Sequence, residues 1–128
     1  MQDRTKGFTA FICWPLLPEN TPEMSHMQKT DAVEYLRTTA FARTVLDSIP
    51  NIQASWVTMG MKVGQTALHY GCNDFGSLML EENVVSAANT THRTTIEEME
   101  QLIREAGFTP RRRKQDYSLI EPAASAAA

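Results

Sequence analysis

Gln53 and Ser55 are polar groups that alternate along one strand-like run, Asn73 and Asp74 open another just after Gly71, and Ser77 followed by Glu81-Glu82 lies toward its end. Amides, hydroxyls and carboxylates at such points can hold a polar small molecule by hydrogen bonds, and a carboxylate can also act as a general base. Each has an ordinary structural use as well. Gln53 and Ser55 can bond neighbouring side chains, Asn73-Asp74 can build a turn through side-chain to backbone bonds, and Glu81-Glu82 can be a solvated pair. Their spacing does not choose between these uses, and no catalytic residue is assigned. Other chemistries find less support. His26, His69 and His92 are scattered, with no His-x-x-x-His pair and no Cys-x-x-Cys, so no metal site is expected. Cys13 and Cys72 are two thiols, where an iron–sulfur cluster takes three or four. The chain has no glycine-rich phosphate loop and no Gly-x-Ser-x-Gly elbow. Arg111-Arg112-Arg113-Lys114 is a basic run, which in an acidic chain reads as a solvated strand face.

The elements that must position these groups alternate between strand and helix. Gly7 to Trp14 is β-branched and aromatic and reads as a buried strand with no element before it. Pro15, Pro18 and Pro22 then forbid regular structure up to Met27. Asp31 opens a helix with Glu34 in capping-box spacing. Ala32, Leu36, Thr39, Ala42, Leu46 and Ile49 line one face of it, and Pro50 stops it. Ile52 to Val57 reads as a second strand, in which Gln53 and Ser55 face away from Ala54 and Trp56. A short helix with Val63, Ala67 and Leu68 follows, closed by Gly71. Asn73 to Leu80 holds a third strand, Glu81 to Arg93 is irregular, and Thr94 with Glu97 caps a last helix striped by Ile96, Met99, Ile103 and Ala106. Arg111 to Ile120 forms a terminal strand.

Such alternation argues an α/β fold with parallel strands, about three βα units plus a terminal strand. Ligand sites in these folds gather at the C-terminal ends of the strands. Three units are too few to close a barrel of eight strands, which leaves a small open α/β domain or the later part of something larger, and the second is the expected architecture. Residues 1–120 read as one partial domain and 121–128 as a disordered, alanine-rich tail.

Composition sets the outer bounds. The 128 residues are 42% apolar, with 12 basic against 15 acidic side chains and a net charge of −3. That is enough for one modest core and gives no electrostatic case for nucleic acid. The apolar stretch Ala10 to Leu17 is broken by Pro15 and falls far short of the ~20 residues of a spanning helix, so no membrane partner is expected. No apolar segment follows Met1-Gln2-Asp3-Arg4. A cytoplasmic chain with reduced thiols is the reading.

From Gly7 to about Leu119 the chain resembles the C-terminal portion of radical S-adenosylmethionine enzymes, and among them the dehypoxanthine futalosine cyclase family of the futalosine route to menaquinone. The stretches that carry the resemblance are Gly7-Phe8-Thr9-Ala10-Phe11-Ile12 with Trp14-Pro15, Pro18-Glu19-Asn20-Thr21, Glu34-Tyr35-Leu36-Arg37 and Pro50 to Val57. Val63-Gly64-Gln65, Asn73 to Ser77, Glu81 to Val85 and Ala106 to Arg113 complete the ordered set. Aminofutalosine synthases and deazaflavin (FO) synthases share the Asn-Asp-x-Gly and Glu-Glu stretches and are the alternative within the class. A non-catalytic, nucleoside-binding half-barrel that dimerises is the alternative outside it.

The resemblance implies a (β/α) TIM-type barrel whose N-terminal half binds a 4Fe-4S cluster through Cys-x-x-x-Cys-x-x-Cys. In the family that cluster cleaves S-adenosylmethionine to a 5′-deoxyadenosyl radical, which takes a ribose hydrogen before the sugar closes onto the aromatic ring. This chain has no such cysteine triplet, so the cluster ligands and the missing N-terminal half-barrel must come from elsewhere and the isolated chain is expected to be inactive. By the same resemblance Phe11, Ile12, Trp14 and Pro15 lie on the S-adenosylmethionine side. Gln53, Ser55, Asn73, Asp74, Ser77 and Glu82 lie on the side of a small, nucleoside-like substrate. Cys13 stands where the family has proline, Cys72 where it has alanine, and Asn89 where it has glycine.

Overall fold

Asp31 caps the helix Ala32–Val45 through one half of the predicted box: its carboxylate accepts the Glu34 N–H at 2.8 Å, and no reciprocal bond to the Glu34 carboxylate accompanies it among the described residues. The structure is a computed structural model that describes residues 2–16, 18, 22–78 and 94–121. In chain order these form α1 (Gln2–Thr5), β1 (Ala10–Ile12), α2 (Ala32–Val45), β2 (Asn51–Gln53), α3 (Trp56–Met59), α4 (Met61–Ala67) and α5 (Ile96–Glu105). Single 3-10 turns lie at Pro22–Met24 and Leu68–Tyr70.

β1 and β2 pair in parallel, with Ala10 opposite Asn51, Phe11 opposite Ile52 and Ile12 opposite Gln53. Gln53 pairs onward with Asp74 as a single parallel bridge. Three parallel segments therefore lie side by side in the order of the chain, joined by helical crossings. The described chain is thus a mixed α/β fold with a small parallel sheet. No described helix is long and apolar enough to cross a membrane.

The core forms where α2 and α4 cover one face of that sheet. Tyr35 and Ala42 from α2, Ile52, Ala54, Ala67 and Cys72 are buried together, and Phe11, Cys13, Leu36, Leu46 and Val63 pack around them. Successive strand residues point to opposite faces. Phe11 and Ile52 therefore enter the core, while Ile12 is left 43% exposed on the other face. Behind α3, Gly64 sits so close to Trp56 that a Cβ there would lie 2.9 Å from the Trp56 Cβ. Only glycine lets α4 pack that tightly on the buried indole.

Several predicted elements are shorter than expected. The strand predicted over Gly7 to Trp14 pairs only at Ala10–Ile12, because its neighbour β2 is three residues long. It is not buried throughout: Phe8 is 54% and Trp14 69% exposed. An element does precede it, since the Gln2 amide in α1 donates to the Phe8 carbonyl at 2.7 Å and accepts the Phe8 N–H at 2.9 Å. The strand predicted over Ile52 to Val57 ends at Gln53, and Trp56 begins a helix instead. There the Thr58 hydroxyl donates back to the Ser55 carbonyl at 3.2 Å, which closes a turn where extended backbone was expected. The third strand pairs at Asp74 alone among the described residues. Gly76, at φ +83°, turns the chain out of line. α2 ends at Val45, five residues before Pro50.

At the last helix the cap is Thr95 with Glu98, one residue later than the predicted Thr94 with Glu97. The Thr95 hydroxyl accepts the Glu98 N–H at 3.2 Å and the Glu98 carboxylate accepts the Thr95 N–H at 2.9 Å. Adjacent threonines offer the same motif in two frames, and the backbone takes the second. The terminal strand reduces to one antiparallel bridge, Arg113 with Leu119. Leu80, the Glu81 to Arg93 stretch with Glu82, Asn89 and His92, the Glu19-Asn20-Thr21 part of the proline loop, and the tail from residue 122 lie outside the described residues.

Candidate functional site

The register places Ile12, Gln53 and Asp74 in one row across the three parallel segments. Side chains of one row in a parallel sheet share a face, and Ile12 shows that face to be the one α2 leaves open. The row stands where β1 and β2 end, and the chain then leads into Trp14-Pro15, Ser55 and Ser77.

Gln53 is partly buried, and among the described residues no side chain hydrogen-bonds its amide. The amide is seated against the backbone of Gly76, where an added Cβ would come within 2.6 Å of Nε2. Ser77 follows on the surface. Of the predicted groups on this side, Asn73 and Ser77 are exposed and Gln53 is half-buried.

Asp74 is buried and fully engaged. Its Oδ1 accepts from the Gly76 N–H at 3.0 Å and Arg113 Nε at 3.1 Å. Its Oδ2 accepts from Arg113 Nη2 at 2.6 Å and from the Tyr117 hydroxyl at 3.0 Å. The carboxylate hydrogen bond is the main reason the Arg113 pKa is pushed further up. Burial first, then the bond to Asp74, raises that of the Tyr117 phenol. Arg113 was read as one member of a solvated basic face. Instead its side chain is 22% exposed and tied to Asp74, while Arg112 pairs with Glu100 at 2.8 Å. No local spacing signals either pair, because the partners stand 39 and 12 residues apart.

Asn73 and Ser55 also have internal partners. The Asn73 carbonyl oxygen accepts from the Ile52 N–H and from Arg43 Nη2, both at 2.8 Å, and its Nδ2 donates to the Pro50 carbonyl at 3.2 Å. Arg43 Nε reaches the Gly71 carbonyl at 2.8 Å, so the pair fastens the third segment to the foot of β2. Ser55 is buried with its hydroxyl 2.9 Å from that of Thr58. Its N–H donates to the Tyr35 hydroxyl. Tyr35 was missed as a core residue, although Tyr35, Thr39 and Ala42 follow helical spacing and form the buried face of α2. The other quartet divides: Phe11 packs on the core, Pro15 is buried, and Ile12 and Trp14 stand exposed.

The chain's own residues do not fit an iron–sulfur cluster. It has two cysteines, and both pack in or against the core rather than on the open face. Burial pushes the Cys72 thiol up to about 12 and raises that of Cys13, whereas a cluster ligand is a thiolate. Elsewhere, a groove of about 900 Å³ runs along α5 between Met61, Glu97, Gln101 and Glu105. It shares no residue with the row.

Comparison with known proteins gives the chain its relatives. A family model described as the CofH/MqnC C-terminal region matches residues 5–125. A cyclic dehypoxanthine futalosine synthase from Halalkalibacterium halodurans is 55% identical over 119 residues, covering 93% of this chain and 32% of that protein. One from Streptomyces coelicolor is 50% identical over 117 residues, covering 91% and 29%. A 5-amino-6-(D-ribitylamino)uracil–L-tyrosine 4-hydroxyphenyl transferase from Archaeoglobus fulgidus is 36% identical over 124 residues, covering 94% and 36%. The chain thus spans about a third of the length of the curated relatives it matches.

Proposed function

Because the chain belongs to the CofH/MqnC C-terminal region family, we propose that it is the C-terminal part of a radical S-adenosylmethionine enzyme that cyclises dehypoxanthine futalosine in menaquinone biosynthesis. The observation that carries this is the row Ile12–Gln53–Asp74 at the C-terminal ends of parallel segments, on the sheet face opposite the one on which α2 packs. That is where an α/β barrel gathers its ligands. In the proposal, residues 1–120 are one wall of a barrel completed by an N-terminal half that brings the cluster. The cluster and S-adenosylmethionine supply radical chemistry when bound; this chain's residues do not fit the cluster, and no step is assigned to them through it.

What the chain contributes is orientation and exclusion of water. The Gln53 amide and Ser77 hydroxyl bind the polar groups of the nucleoside-like substrate. Asp74, Asn73 and Ser55 hold the backbone around them, and Glu82 joins the set by its place in the sequence. The exposed Ile12 and Trp14, carried on the backbone between Phe11 and Pro15, form the apolar shelf on the S-adenosylmethionine side. A cytoplasmic location belongs to the same proposal and is supported by two cysteines that remain free thiols.

The test is a chimera in which this chain replaces the matching third of the Halalkalibacterium halodurans protein, assayed with dehypoxanthine futalosine and S-adenosylmethionine. Formation of the cyclic product by liquid chromatography and mass spectrometry supports the proposal. A soluble chimera that cleaves S-adenosylmethionine yet leaves this substrate untouched, or transfers a 4-hydroxyphenyl group instead, overturns it.

A further inference from the structure

Arg113 lies 39 residues beyond Asp74, on a turn at the end of the described chain. That turn is closed by Lys114 N–H to the Ser118 carbonyl at 2.8 Å and by Tyr117 N–H to the Lys114 carbonyl at 3.1 Å. Tyr117 adopts φ +67° within it, a left-handed conformation that bulky residues rarely take. In that conformation the Tyr117 ring lies under the Arg113 guanidinium, 4.0 Å from carbon to centroid, and its hydroxyl reaches Asp74. A forked guanidinium on both carboxylate oxygens is directional as well as strong. This one is three-quarters shielded from solvent, unlike the exposed pairs that contribute little.

The carboxylate it grips does one more thing. Asp74 Oδ1 also caps the N–H of Gly76, and the Gly76 backbone is the surface against which the Gln53 amide rests. Ser77 is the next residue. We infer that Arg113 is a positioning residue for the proposed substrate site: acting through Asp74 and Gly76, it fixes the orientation of Gln53 and Ser77. Tyr117 holds the guanidinium in place for that purpose. The C-terminal segment is then part of the site's framework, although it touches no substrate. This inference rests on the proposed cyclase function for its substrate and on the hydrogen-bond geometry for its coupling.

The test pairs Arg113→Met and Arg113→Lys with the milder Tyr117→Phe, in the full chain and in the chimera. By amide hydrogen exchange of the full chain, faster exchange is expected over residues 74–78, with α2 and β2 unchanged. In the chimera, Arg113→Met is expected to raise KM for dehypoxanthine futalosine about tenfold, the size of one lost charge-assisted bond, with kcat within about twofold. Arg113→Lys restores little, because an ammonium cannot fork. Unchanged exchange at 74–78, or unchanged KM beside an active wild-type chimera, overturns the inference. So does full recovery by lysine. If Arg113→Met unfolds the chain, Tyr117→Phe decides by the same local exchange and KM criteria. A soluble wild-type chimera that cleaves S-adenosylmethionine and does not convert the substrate overturns the function itself and with it the substrate role given to Arg113, while the exchange criterion at 74–78 still decides the coupling.

Discussion

The Ser55 backbone N–H, at the turn from β2 into α3, donates to the phenol oxygen of Tyr35 at 2.8 Å, with both residues buried. One side chain of α2 thus supplies the acceptor that lets the chain leave the sheet. In Tyr35→Phe that N–H keeps its burial and loses its partner, at a cost of about 1–3 kcal/mol. Urea unfolding is expected to show a lower midpoint with an unchanged slope.

Alkaline pH is expected to destabilise the chain through two buried acids. Desolvation pushes both the Tyr35 phenol and the Cys72 thiol up to about 12, from ordinary values of 10.0 and 9.0. Above about pH 9 the unfolded chain releases protons that the folded chain retains, so ionisation favours unfolding. Their stabilisation is complete below about pH 9 and is lost as pH rises toward 12. The fall is at most ~1.4 kcal/mol per pH unit for each group. Cys72→Ala is expected to flatten the first part of that decline, as measured by urea midpoints across the range.

Gly76→Ala joins two penalties in one substitution. A side chain at φ +83° is strained by roughly 1–2 kcal/mol, and its Cβ would meet the Gln53 amide. Moderate loss of stability and a raised KM in the chimera are expected together. A destabilised variant with wild-type KM would detach Gln53 from the site.

Thr95→Ala removes one half of the reciprocal cap on α5. Loss of an N-cap costs ~1 kcal/mol, and α5 has no buried residue to compensate. Hydrogen exchange is expected to quicken over the first turn of α5 while α2 keeps its protection. The same readout on Thr94→Ala should move far less, since the Thr94 hydroxyl adds bonds to the Glu98 carboxylate at 3.2 Å and the Thr95 carbonyl at 3.3 Å while Thr95 itself accepts the Glu98 N–H.

Local rules made much of the fold readable. Asp31 before Ala32, Gly71 after the short helix and the isoleucine–methionine stripe of α5 are signals carried within a few residues. The order of helix and strand follows from them, but the row containing Gln53 and Asp74 does not, since the sequence puts Gln53 inside one predicted strand and Asp74 at the start of the next. Strand lengths could not, because a strand stops where its neighbour stops, and β2 is ended by a hydroxyl of α2. The role of Asp74 was half legible. Its candidacy as a polar group beside Gly71 was visible, but its partners Arg113 and Tyr117 are distant in sequence and look like ordinary surface residues until the chain is folded.

Neighbouring segments in the sheet are also successive in the chain, and this sets an order of assembly. Joining Gln53 to Asp74 closes 21 residues, whereas joining Ile12 to Gln53 closes 41. Doubling a closed loop adds about 0.6 kcal/mol of closure entropy, so the β2–Asp74 contact is the cheaper nucleus. β1 then adds to an edge already ordered by Ile52, and the Arg113–Asp74 clamp comes last because its docking surface has to exist first. A ribosome delivers the segments in nearly the reverse sense, with β1 emerging before the strand it needs. Within the described residues, β1 is therefore made before β2, the strand it pairs with.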